Sequence, residues 1–156
     1  MVWRRDGILG RCISVCNRVG MTYVGRQLSP LGIGKGQFMH MAELYYEDGI
    51  SQEELAGRLY MDKGTVARAL GHLENKGYIE KRADAKDARK KLIFLTEKAK
   101  KLEGEFIGTL IRCNVNVTEN IPDEELQTCI SVLQRVAKNM ESSVNDEPLR
   151  KEVEEG

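Results

Sequence analysis

Between Ser51 and Asn75 the chain carries two helix-start signals eleven residues apart, and that spacing leaves few folds open. The first is Ser51 followed three residues later by Glu54. A serine hydroxyl there can accept the Glu54 backbone N–H while the Glu54 carboxylate returns to the Ser51 N–H, forming a capping box. Ile50 and Leu55 stand where a hydrophobic staple needs them. The second signal is Asp62, a favoured N-cap, and Gly77 suits the left-handed residue that closes a helix. The first helix must therefore end near Leu59 and Tyr60, leaving room only for a tight turn. Residues 78–82 and 91–95 then have strand character, with Ile79, Ile93 and Phe94, around a polar tip at 83–90. Two short capped helices and a basic hairpin make the layout of a winged helix-turn-helix.

The rest of the chain reads as helix. Over residues 7–28, Ile8, Leu9, Cys12, Val15, Cys16, Val19, Tyr23 and Val24 recur at three-and-four spacing, one apolar stripe on a long helix. Residues 29–36, SPLGIGKG, form a Pro/Gly loop. Its glycines resemble a phosphate loop only superficially, because Lys35 is followed by Gly36 and no strand precedes it. A helix over 37–46 gathers Phe38, Met41, Ala42 and Tyr45 on one face. After Thr96, another N-cap, a helix runs to about residue 117 with Leu102, Phe106, Ile107, Leu110, Ile111 and Cys113 on its apolar side. A last helix begins at Pro122 and carries Leu126, Ile130, Leu133, Ala137 and Met140. The fold class expected is mainly α with a small β-wing.

Composition limits the function classes. No apolar run approaches the ~18–20 residues of a membrane span, and the start, MVWRRDGILGRCISV, is too broken for a signal peptide, which predicts a cytoplasmic chain. Neither a nucleophile elbow nor a Walker sequence, a paired-carboxylate site or a metal-ligand cluster occurs, so neither an enzyme nor a cofactor or metal site is expected. The four cysteines include no CxxC.

Net charge is zero, but residues 58–101 hold thirteen basic and six acidic side chains, and residues 102–156 hold five and twelve. The positive block coincides with the second capped helix and the hairpin. Local charge is what attracts phosphates, so the whole-chain total hides the signal. In that helix Val66, Ala69, Leu70 and Leu73 form the buried side. Lys63, Gly64, Thr65, Ala67, Arg68 and His72 face outward, mostly small or basic. Small residues allow close approach to a groove, and Thr65 and Arg68 can donate to phosphates or base edges. Double-stranded DNA is the expected partner.

With DKGTVARALGHLENKGYIEKR, DAKDARKK and LTEKA in this order, residues 7–140 resemble the MarR family of transcriptional regulators. The resemblance is sharpest over residues 51–99. It implies an obligate homodimer in which the first, fifth and sixth helices interlock and two winged modules bind a pseudo-palindromic operator. It also implies repression, relieved by a small aromatic or other ligand, in a winged helix-turn-helix joined to a helical dimerisation domain. Gly64, Thr65 and Arg68 fall on the family's DNA-reading helix, and Asp87 and Arg89 match its Asp-x-Arg wing. The chain departs from the pattern at Ala88, where many members carry Arg, and at Ala99, where Gly is common. Lys86, Lys90 and Lys91 can compensate for the first departure.

The organisation implied is a dimerisation helix and loop over 1–34 and a DNA-binding domain over 35–95. Dimerisation helices follow over 96–140, then a polar tail over 141–156. The DNA-binding residues expected are Lys63, Gly64, Thr65, Arg68, His72, Lys86, Asp87, Arg89 and Lys90. Two alternatives remain: a winged-helix interaction module without DNA reading, and a thiol-based redox regulator. Cys12 and Cys16, one helical turn apart, lie on the apolar stripe and are expected to be buried packing residues rather than sensor thiols. On the 37–46 helix, Tyr45 is expected to pack in the core and His40 to face solvent or an interface. Arg11 or Arg18 could supply a counter-charge if this region bound an aromatic anion.

Overall fold

The structure, a computed structural model, describes residues 8–85, 87 and 90–145. Its elements in chain order are α1 (Leu9–Leu28), α2 (Phe38–Tyr46), β1 (Ile50–Ser51), α3 (Gln52–Leu59), α4 (Lys63–Asn75), β2 (Ile79–Ala83), β3 (Lys91–Leu95), α5 (Glu97–Val117) and α6 (Asp123–Asn145). A 3-10 turn at Ser29–Leu31 follows α1 and ends on Gly32 in the left-handed region. The chain divides into two compact units, Met1–Asn114 and Val115–Gly156.

The helix-start signals act as their chemistry requires. Ser51 Oγ accepts the Glu54 N–H at 3.2 Å, and Glu54 Oε2 accepts the Ser51 N–H at 2.9 Å. The stapling pair, Ile50 and Leu55, is buried. Asp62 caps α4, and Thr96 Oγ1 accepts the Ala99 N–H at the start of α5. At the end of α4, Gly77 has φ +70, the Gly77 N–H reaches Glu74 O at 2.8 Å and the Tyr78 N–H reaches Leu73 O at 2.9 Å. That pair of bonds is a Schellman close, and the positive φ is why glycine stands there. The turn between α3 and α4 uses the same pairing without glycine, with Tyr60 at φ 51.

The hairpin pairs Ile79 with Leu95 through Ala83 with Lys91, so its tip begins at Asp84. A third strand was not foreseen. β1 pairs with β3, Ile50 opposite Ile93, giving the antiparallel order β1-β3-β2. Two residues are too few for an alternating pattern to show in sequence. The strand fastens the start of α3 to the wing sheet.

One core fills the first unit: Leu28 and Ile33, Phe38, Met41 and Leu44 of α2, Leu55 of α3, Val66, Leu70 and Leu73 of α4, Ile79, Ile93 and Leu95 of the sheet, and Phe106 of α5. Tyr45 packs its ring against Phe106, centroids 5.1 Å apart, and its hydroxyl donates to Ala99 O at 2.7 Å. Burial there pushes the phenol up to about 12.

Two placements differ from expectation. His40 is buried, because α2 packs against α3, α4 and β3 and so is covered on more than one face. Cys12 and Cys16 are exposed, because among the described residues of the first unit none covers their side of α1, where Val15 and Val19 are exposed too. In α6, Ile130, Leu133 and Met140 are likewise exposed.

Neither ring nitrogen of His40 has a hydrogen-bond partner. Burial lowers its pKa from 6.5, since the interior disfavours the imidazolium. The unfolded chain then binds a proton near pH 6.5 that the folded chain does not, so stability is full above that pH and falls as pH drops through it. His40→Leu removes two unsatisfied polar atoms at similar volume. It is expected to stabilise the protein by about 1 kcal/mol or more at pH 7 and to flatten the acid-side loss. Urea midpoints of both proteins at pH 7.5 and 5.5 check this; equal losses would sink the assignment.

Candidate nucleic-acid interface

The buried Val66, Leu70 and Leu73 turn the opposite side of α4 outward. Lys63, Gly64, Ala67, Arg68 and His72 are exposed and Thr65 is half-buried, so the six positions expected to face outward do so. The helix is thirteen residues long, about 20 Å, and slim enough for a DNA major groove.

Its first turn is heavily cross-linked. Asp62 Oδ1 accepts the Thr65 N–H at 2.8 Å, and Asp62 Oδ2 accepts the Thr65 hydroxyl at 2.6 Å. Arg68 Nη2 donates to Thr65 Oγ1 at 3.0 Å. The Thr65 hydroxyl, then its backbone N–H, hold the Asp62 carboxyl below its ordinary range. Lys63 Nζ reaches Glu53 Oε1 at 2.7 Å, and that hydrogen bond lowers the Glu53 carboxyl in turn. Gln52 Nε2 donates to the Lys63 carbonyl at 3.4 Å, so the first turns of α3 and α4 are bridged twice.

The wing comes to the same end of α3. Lys90 Nζ lies 3.9 Å from Glu54 Oε2, while the Lys90 N–H donates to Asp87 O and the Asp84 N–H to Lys90 O, both at 2.8 Å. Lys63, Thr65 and Arg68 are thus grouped around the first turn of α4, with the α3 start between them and Lys90. His72 stands apart, about 10 Å further along α4. Lys86 and Arg89 lie outside the described residues. Sequence reading had missed the acidic partners, Glu53 and Glu54: ten residues separate Glu53 from Lys63 and thirty-six separate Glu54 from Lys90, so only tertiary placement joins them.

This geometry has close relatives. The MarR family model matches residues 34–91. The HTH-type transcriptional regulator YybA of Bacillus subtilis (strain 168) is 30% identical over 146 residues, covering 90% of this chain and 89% of its own. The chain belongs to the MarR family of transcriptional regulators. A MarR transcriptional regulator from Methanosarcina mazei Go1 superposes with a TM-score of 0.79 at 37% identity, over 86% of this chain and 96% of its own. A MarR-family regulator from Listeria monocytogenes, complexed with 26mer DNA, superposes with a TM-score of 0.82 at 26% identity, over 92% of this chain and 98% of its own. Among the described residues of this MarR-family chain, no helix is long and apolar enough to cross a membrane.

The cap at Asp62 can be separated from its charge. Asp62→Ala removes both acceptors and is expected to lower the melting temperature, whereas Asp62→Asn keeps a capping oxygen and should change it little. Thermal melts of the two variants check the difference. Equal losses would mean that the carboxylate, not the cap, holds the turn.

Proposed function

We propose that this chain is a homodimeric, sequence-specific DNA-binding repressor of a pseudo-palindromic operator, relieved by a small ligand. One observation carries the reading: an exposed, cationic first turn of α4 with Lys90 of the wing at the same end of α3. Lys63, Gly64, Thr65 and Arg68 are assigned to the major groove, and His72 to its edge. Asp87 braces the wing, while Lys86, Arg89 and Lys90 meet the backbone and neighbouring minor groove, where a narrow groove favours an inserted Arg. The Listeria monocytogenes relative complexed with DNA supports the choice of ligand.

The dimer would cover apolar surface on three helices. Leu9, Val15 and Val19 of α1, Ile111, Val115 and Val117 of α5, and Ile130, Leu133 and Met140 of α6 are exposed. That is more apolar surface than scattered single residues account for. Residues 1–34 and 96–140 are accordingly assigned to dimerisation, residues 35–95 to DNA binding and 141–156 to a polar tail. Cys12 and Cys16 then fall in the dimer contact. Two α4 helices related by a two-fold axis would enter successive major grooves, about 34 Å apart. Light scattering should give a mass near twice 17.6 kDa; a mass near one chain would overturn the dimer.

For the ligand, we assign the cleft of about 710 Å³ between Pro30–Gly32, Tyr78 and the start of α5. Lys98 Nζ lies 4.4 Å above the Tyr78 ring, with Lys101 beside it, a setting for an amphipathic anion. Such a ligand relieves repression only by binding one spacing of the α4 helices better than another.

Fluorescence anisotropy with DNA from upstream of the chain's own gene, across a salt series with non-specific competitor, tests DNA reading. Tight, competitor-resistant binding with a steep salt slope is expected. Arg68→Ala, and Arg89→Ala on the sequence assignment, should weaken it. Glu53→Gln frees Lys63 and removes a negative charge, so binding should tighten on all sequences and the salt slope should steepen by about one. Absence of binding even at low salt would favour an interaction module instead.

A further inference from the structure

We propose that Asp62 is a positioning residue for DNA reading: through the Thr65 hydroxyl it fixes where the Arg68 guanidinium sits on the groove-facing side of α4. The inference rests on the assignment of α4 to the major groove. Capping alone needs one acceptor, and Asp62 Oδ1 supplies it to the Thr65 N–H. The second oxygen is surplus to the cap. It takes the only proton of the Thr65 hydroxyl, at 2.6 Å, which leaves the oxygen lone pairs for Arg68 Nη2 at 3.0 Å. Three residues spaced by three along one edge of the helix thus form a single chain of donors and acceptors. Its ends are charged, which strengthens each bond in it.

Two neighbours keep this chain intact. Lys63, adjacent to Asp62, is turned to Glu53 at 2.7 Å rather than to the cap carboxylate. Gly64 leaves open the space over which the guanidinium folds back. A Cβ there would lie 3.2 Å from Asp62 Oδ1, pressing on the carboxylate end of the chain, and 3.8 Å from Arg68 Nη1, at ordinary contact distance. An arginine free to rotate loses that freedom on meeting a base. One already held through a single N–H loses less and keeps its other donors for a bidentate contact, such as guanine O6 and N7.

A carboxylate at a DNA surface repels phosphates, so a purely structural Asp62 would lower affinity for every sequence alike. As a positioning residue it should instead raise discrimination between sequences. That difference gives the test its readout. The full chain and its Asp62→Asn, Thr65→Val, Thr65→Ser and Arg68→Ala variants, with the Asp62→Asn/Thr65→Val double variant, are each used to select duplexes from a randomised library. Each is then titrated by anisotropy with the wild-type consensus duplex and its scrambled counterpart.

The expected result is an about tenfold fall in the consensus-to-scrambled ratio for Asp62→Asn and for Thr65→Val, with no further fall in the double variant. Thr65→Ser keeps the hydroxyl and should keep the ratio. Binding of Asp62→Asn to the scrambled duplex should be unchanged or tighter, with melting temperature preserved. If Arg68→Ala loses discrimination while Asp62→Asn retains it, Arg68 reads unaided and the positioning role is overturned, though DNA reading stands. If Arg68→Ala keeps both affinity and ratio, the groove-facing assignment fails and this inference falls with it. A wild-type chain that enriches no sequence overturns the proposed function itself.

Discussion

The turn at Gly77 and Tyr78 ties together the helix that faces outward, the wing, the first loop and the long fifth helix. The left-handed Gly77 closes α4 with two backbone bonds. The Tyr78 hydroxyl donates to Leu31 O at 2.5 Å, and Lys98 Nζ donates to Lys76 O at 2.6 Å while lying over the Tyr78 ring. Thr96 completes the junction: its N–H reaches Tyr78 O at 3.0 Å and its hydroxyl donates to Gly77 O at 2.7 Å. Here the polar groups of a helix end, which would otherwise need water, are met by neighbouring elements. Removing any one partner would loosen α4 against its scaffold.

Local rules made much of this legible beforehand. Ser51 with Glu54, Asp62, Gly77 and Thr96 each sit in a sequence context of four or five residues that largely decides a cap. The outward face of α4 followed from three-and-four spacing of Val66, Leu70 and Leu73. What escaped depended on distant partners. β1 exists because β3 passes beside Ile50, and Ile33 is fully buried in a loop because the core reaches it. His40 reads as a polar residue on a short helix, yet that helix is wrapped by α3, α4 and the sheet. Cys12 and Cys16 sit on a true apolar stripe, but a stripe predicts a covered face without saying which chain covers it.

The same distinction applies to the site. Residue types placed Lys63, Thr65 and Arg68 outward, but not the acids that hold them. Glu53, Glu54 and Asp62 lie among the cations on the same surface, so the cationic face is internally braced rather than bare. These pairs are exposed and contribute little to stability. What they set is direction: Lys63 is turned to Glu53, Lys90 to Glu54 and Arg68 to Thr65.

Thr96 gives the junction a mechanical meaning. Its hydroxyl donates to Gly77 O in the turn that closes α4, while its oxygen accepts the Ala99 N–H in the first turn of α5. One side chain therefore acts as a pivot between two helices. With α4 about 20 Å long and pinned at its C-terminal end, a tilt of roughly 10° there would sweep its first turn through about 3 Å. The Arg68 backbone, about 10 Å from the pinned end, would move about half as far, so a small rotation at this junction is magnified along α4 toward its first turn.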